Sequence, residues 1–187
     1  MYDKDSYHLQ NVEYIYMTKA NRNQIKQKLM EYGAAECSMY APETSSDKQM
    51  YGNTGKSNFT AYYCDDTSKT TNHSVLIVGW DDNYSASNFN PQCRPFSDGA
   101  WLIRNSWGNC NNMGGYFWIS YEDAMLQAEK NEEAEVAFFD VEKADNYDNN
   151  YQYDGGIPFA FSKSFLRGAN VFEAKADEKM QAVSFYT

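Results

Sequence analysis

The chain has 187 residues, 42% of them hydrophobic, enough for one domain and a fraction of a second around a sizeable core. Its 16 Lys and Arg against 26 Asp and Glu give a formal charge of −10, which argues against a nucleic-acid partner, whose phosphates need a basic face. No apolar run approaches the roughly 18 residues of a membrane span, and the opening MYDKDSYHLQ holds no signal-peptide core.

In chain order, NVEYIYM (11–17) alternates as a strand does. NRNQIKQKLMEYG then predicts a helix, with Asn21 as N-cap, Gln24 completing a capping box, Ile25 and Leu29 as a buried stripe and Gly33 as the stop. Strands are expected at AAECSMYA (34–41) and FTAYYC (59–64), separated by a polar loop, and again from Asn72 to Trp80. Residues 81–99 read as a long surface excursion. AWLIRN (100–105) and YFWISY (116–121) are strands joined by the glycine-rich SWGNCNNMGG. EDAMLQAEKNEEAE (122–135) suits a helical turn or a linker, and EVAFFDVEKA (135–144) a further strand. DNYDNNYQYDGG marks a boundary, so residues 1–140 and 141–187 are expected to be separate modules. The expected fold class is α+β, one N-terminal helix on a mostly antiparallel, barrel-like sheet.

His73 and Asn105 each end an apolar run, and neighbouring antiparallel strands can bring such ends together. A proton-carrying imidazole needs one tautomer, which an amide oxygen can impose without adding charge. Trp107 can cover that hydrogen bond, and Gly108 and Gly114–Gly115 permit the tight turns that return the loop. Taken singly, each piece is better explained by a strand end or a turn.

Together, NHSVLIVGWDD and GAWLIRNSWGNCNNMGGYFWISY resemble the histidine and asparagine blocks of papain-like cysteine peptidases, and IKQKLMEYGAAECSMYA resembles the helix and strand before them. The resemblance implies peptide-bond hydrolysis by thiolate attack, with His73 as general base, Asn105 orienting it, Trp107 and Gly108 in support, a peptide or protein substrate and no metal or cofactor. The 32 positions from His73 to Asn105 and the pieces after residue 141 resemble a bacterial branch, in which a lectin-like β-sandwich follows the peptidase. That branch is exported, so an extracellular or cell-surface parent is implied.

The family's nucleophile block, of the C-G-S/A-C-W type, lies about 130 residues before the histidine. Only 72 residues precede His73, and no such block or oxyanion-hole glutamine occurs among them. Cys37 falls in a strand pattern without a helix N-terminus to lower its pKa. Cys64 stands beside Asp65 and Asp66, whose charge raises a thiol pKa. Cys93 and Cys110 lie in loops after the histidine. No nucleophile is therefore identified, and packing or disulfide roles are expected for all four. The expected state is the C-terminal lobe of a two-lobed peptidase plus the start of the next domain, inactive alone, exposing the surface meant for a helical lobe and prone to self-association. A non-catalytic binding module and a pseudo-peptidase lobe with a separately encoded partner are the alternatives. Asn58, Asn72 and Asn83 match the glycosylation sequon, where a glycan on Asn72 would obstruct the site. DNYDNN (145–150) lacks calcium-loop spacing and reads as a solvated linker.

Overall fold

A computed structural model describes residues 7–42, 50–51, 59–143, 146, 149, 151, 171–181 and 183. The chain divides into two units, Asn11–Asp140 and Met1–Gln10 with Val141–Thr187.

The helix, α1 (Arg22–Tyr32), follows Asn21 and ends at Gly33, whose N–H bonds Leu29 O at 2.8 Å. The expected capping box does not form. Asn21 is already helical in backbone (φ −85°, ψ −5°), its amide Nδ2 donates back to Tyr16 O, and its own N–H goes to Thr18 Oγ1 at 3.1 Å. Ile25 and Leu29 are buried as their spacing predicts, and α1 packs on β5 (His73–Asp81).

The strands are β1 (Tyr7–Tyr16), β2 (Ala35–Met39), β3 (Met50–Tyr51), β4 (Ala61–Tyr62), β5, β6 (Ala100–Arg104), β7 (Tyr116–Ser120) and β8 (Glu135–Lys143). Among the described residues they form one sheet in the order β1-β8-β2-β5-β6-β7-β4-β3. The central pairs β2–β5, β5–β6 and β6–β7 are antiparallel. Alternation sorts the faces: Ala35, Cys37, Met39, Val75, Ile77, Ile103, Phe117 and Ile119 point into the core, while Glu36, Ser38, Ser74 and Leu76 point away. Each buried Ile contributes on the order of 1.5–3 kcal/mol relative to exposure.

Two segments depart from the pattern. FTAYYC gives only the two-residue β4, paired parallel to β7. Side chains take the backbone groups that would have lengthened the ladder, Asn111 at Phe59 O and Asp123 at Cys64 N. The charged stretch after β7 takes the helical-turn option, a short 3-10 turn at Ala124–Leu126. All three of its residues are buried, and Asp123 caps it by accepting Met125 N–H at 3.0 Å.

The excursion 81–99 folds back on itself. Phe89 and Cys93 form a satellite core with Ala61, Tyr63 and Ala100. Glu122 accepts Phe96 N–H at 2.6 Å and Ser97 Oγ–H at 2.5 Å, and Asp82 pairs with Lys26 of α1 at 2.5 Å. In the other unit, Tyr151 donates to Glu178 at 2.7 Å and packs on Phe172. Most of the expected lectin-like segment lies outside the described residues, as do Asn58 and most of DNYDNN.

Candidate active site

The β5–β6 register builds the site. Ile77 pairs with Ile103 and Leu76 with Arg104. Carried past the last pair, the same register sets Val75 opposite Asn105 and His73 opposite Trp107. Paired residues share a face, so His73 and Asn105 emerge on the core side as diagonal neighbours, within side-chain reach.

His73 Nε2 lies 2.9 Å from Asn105 Oδ1. That oxygen also accepts the N–H of Ser106 at 2.8 Å. A backbone N–H can only donate, so the amide must present its oxygen here. The imidazole nitrogen facing the same oxygen must then carry a proton, which makes Nε2–H the tautomer. Nδ1 makes no hydrogen bond among the described residues. The Trp107 indole stacks on the imidazole, ring centroids 4.7 Å apart and 27° between planes, while remaining 48% exposed. Asn105 beneath is buried. The tryptophan thus shields the hydrogen bond from water on one side.

The loop after Asn105 bends back through Gly108 (φ 65°), a conformation that L side chains avoid. At Gly115 (φ 87°) space is the limit as well, because a Cβ there would lie 2.1 Å from Gly108 O. Gly115 O accepts the Asn105 N–H at 2.9 Å, closing the loop beneath the pair. Arg104 donates to Gly114 O and lies over the Tyr116 ring. Asn111, which sequence reasoning did not single out, is buried with both ends of its amide engaged. Its only local signal was an asparagine-rich run in a tight loop.

On the other flank of His73, Asn72 Oδ1 accepts Ala41 N–H at 2.6 Å and Asn72 Nδ2 donates to Ala41 O at 2.9 Å. A glycan on that nitrogen would break the clasp between the end of β2 and the start of β5.

All four cysteines are free. Cys37, Cys64 and Cys93 are buried. Burial pushes the Cys37 thiol well up, with Glu36 adding to it. Cys64 is raised too, first by burial and to a lesser extent by Asp123, Asp66 and Asp65. Cys110 is half-buried, its sulfur 4.0 Å from Asn105 Nδ2. The sulfur thus meets the amide at the nitrogen, the end away from the oxygen that His73 contacts. Among the described residues no group of three or more His, Cys, Asp or Glu is disposed to hold a metal ion. No helix among them is long and apolar enough to cross a membrane.

Comparison with known proteins places this geometry in context. A family model described as "Papain family cysteine protease" matches residues 2–137. A solved structure of the clostridial cysteine protease Cwp84, after propeptide cleavage, is 36% identical with a TM-score of 0.58, covering 74% of this chain and 30% of that one. A structure of the cysteine protease and lectin-like domains of Cwp84, a surface layer associated protein of Clostridium difficile, is 35% identical with a TM-score of 0.57, covering 74% of this chain and 27% of that one. The chain therefore spans less than a third of the length of these relatives. No curated protein matches it.

Proposed function

Since the chain belongs to the papain family of cysteine proteases, we propose that it carries the proton-handling half of a peptidase active site, with His73 as general base and acid and Asn105 as its orienting partner. The observation that carries this reading is the Nε2–Asn105 contact under the stacked Trp107, which leaves Nδ1 as the basic nitrogen.

The chemistry follows from the tautomer. With Nε2–H held by Asn105 Oδ1, a thiol approaching from the open side delivers its proton to Nδ1. The thiolate attacks the scissile carbonyl, and Nδ1–H returns the proton to the departing amine as the acyl-enzyme forms. Water, deprotonated by the same nitrogen, then hydrolyses the thioester. Asn105 stabilises the imidazolium through its dipole and adds no charge, and Trp107 keeps water from competing for the Nε2 hydrogen bond. Substrates are peptides or proteins.

None of the chain's own cysteines fits the nucleophile's place. Three are buried, and the Cys110 sulfur is engaged with Asn105 Nδ2 rather than with the imidazole. The thiol is accordingly supplied by polypeptide outside these 187 residues, and the chain alone hydrolyses no peptide. By likeness to Cwp84, residues 141–187 open a lectin-like domain and the parent works at the cell surface.

The test is turnover of a fluorogenic peptide by the chain alone and by the chain joined to a helical lobe that bears a cysteine. No turnover is expected in the first case. In the second, turnover is expected and should fall by about two to four orders of magnitude in His73→Ala, which removes the general acid and base. Turnover by the chain alone would overturn the external origin of the thiol, and turnover by the joined protein that survives His73→Ala would overturn the role of His73. The DNA upstream of Met1 offers a second check, an in-frame glutamine and Cys-Trp block being expected there.

A further inference from the structure

Asn111 sits between β6 and β7 and is 8% exposed. Its Nδ2 donates to Phe59 O at 2.8 Å and to Tyr116 O at 2.6 Å. Its Oδ1 accepts Met113 N–H at 3.0 Å and Gly115 N–H at 2.9 Å. Two donors and two acceptor sites on one short planar group are the full capacity of an amide. A carboxylate would lose both donors, and a hydroxyl has only one.

The bonds continue toward the site. Gly115, whose N–H Asn111 holds, accepts the N–H of Asn105 through its carbonyl. Asn105 in turn holds His73. Gly115 has no slack, since even a Cβ there would collide with Gly108 O. Gly108 adjoins Trp107, the residue stacked on His73. One side chain therefore holds the residue that bonds the imidazole's hydrogen-bond partner, without a hydrogen bond to His73 itself.

We propose that Asn111 is a positioning residue for the His73–Asn105 pair, acting through Gly115 and the loop 106–115; its functional meaning rests on the proton-handling role given to that pair above. If Asn111 served only general stability, its loss would loosen the sheet and the loop alike. A positioning role loosens the loop first.

The experiment uses the isotopically labelled chain and NMR. In the native protein the amides of Gly115 and Asn105 should exchange with water at matching rates, as one opening unit, and the His73 ring protons should be displaced upfield by the stacked indole. In Asn111→Ala and Asn111→Asp both amides should exchange at least tenfold faster and the His73 ring shifts should move toward those of a free imidazole. Ile103 and Ile119 amides should be unchanged. Asn109→Ala, an exposed position in the same loop, should alter none of these. His73 shifts that stay put in a folded Asn111 variant would overturn the role, as would Ile103 and Ile119 accelerating equally with Gly115. Should both variants fail to fold, the native chain decides, because an Asn105 amide protected at least tenfold beyond Gly115 would sever the relay. None of these readouts needs turnover, so a failure of the catalytic reading, seen as activity that survives His73→Ala, is distinguishable from a failure of this one.

Discussion

Asp123 should make this fold more stable as pH falls through neutrality. Its carboxyl is fully buried, and that burial pushes its pKa from 3.8 up to about 7, against the Cys64 and Met125 N–H groups that pull it down. In the unfolded chain it returns to the ordinary carboxylate value. Between the two values the native state binds the extra proton, so this group's contribution is complete below the unfolded pKa and is lost as pH rises through about 7. At roughly 1.4 kcal/mol per pH unit, the loss is about 3 kcal/mol between pH 5 and 8. The series stops at pH 5 because the charge of −10 shrinks as carboxylates protonate and solubility falls with it. The perturbation is Asp123→Asn. The amide leaves one backbone N–H without an acceptor, a cost of about 1–3 kcal/mol that does not vary with pH. The assay is urea unfolding followed by tryptophan fluorescence at each pH, with equal slopes required for comparison. The native chain should lose stability relative to the variant by about 3 kcal/mol across the series. Parallel curves for the two proteins would refute the reasoning, because they would mean that the two N–H donors outweigh burial and keep the carboxylate charged throughout.

Asn105→Ala leaves the Ser106 N–H and the His73 Nε2–H without their shared acceptor, and should cost about 1–3 kcal/mol in urea unfolding. Ile103→Ala, at a fully buried position paired with Ile77, should cost about 2–5 kcal/mol, while exposed Ser74→Ala on the opposite face should stay within about 0.5 kcal/mol. Lys26 holds the Asp82 carboxyl below the usual range chiefly by their hydrogen bond, with Tyr121 assisting. Lys26→Ala should therefore raise the Asp82 pKa in a carboxyl NMR titration.

Much of this was readable along the chain because it is encoded at short range. Ile25 and Leu29 mark one face of α1, and the alternation at Val75 and Ile77 marks one face of β5. The apolar runs of β5 and β6 put His73 and Asn105 at strand ends and make their meeting an expectation. The capping box that Asn21 and Gln24 suggest does not form: Thr18 takes the Asn21 N–H that Gln24 would have capped, and the side-chain amide turns back to Tyr16 O, through a turn that no propensity encodes.

What the sequence by itself determined is therefore the periodic part: which segments are strands or helix, which side chains face inward, and which two residue blocks supply His73 and Asn105. What only the tertiary structure decided are the choices made between distant segments. The Nε2 tautomer depends on the Ser106 N–H reaching Asn105 Oδ1 while His73 approaches from another strand. The shortness of β4 beside β7 follows from Asn111 and Asp123 claiming the flanking backbone groups, 52 and 59 positions away. Periodicities of 2 and 3.6 record which face a residue shows. They do not record which polar group it finds there. A buried amide or carboxylate gets its role from the partners that desolvation obliges it to find, and those partners come together only when the chain folds.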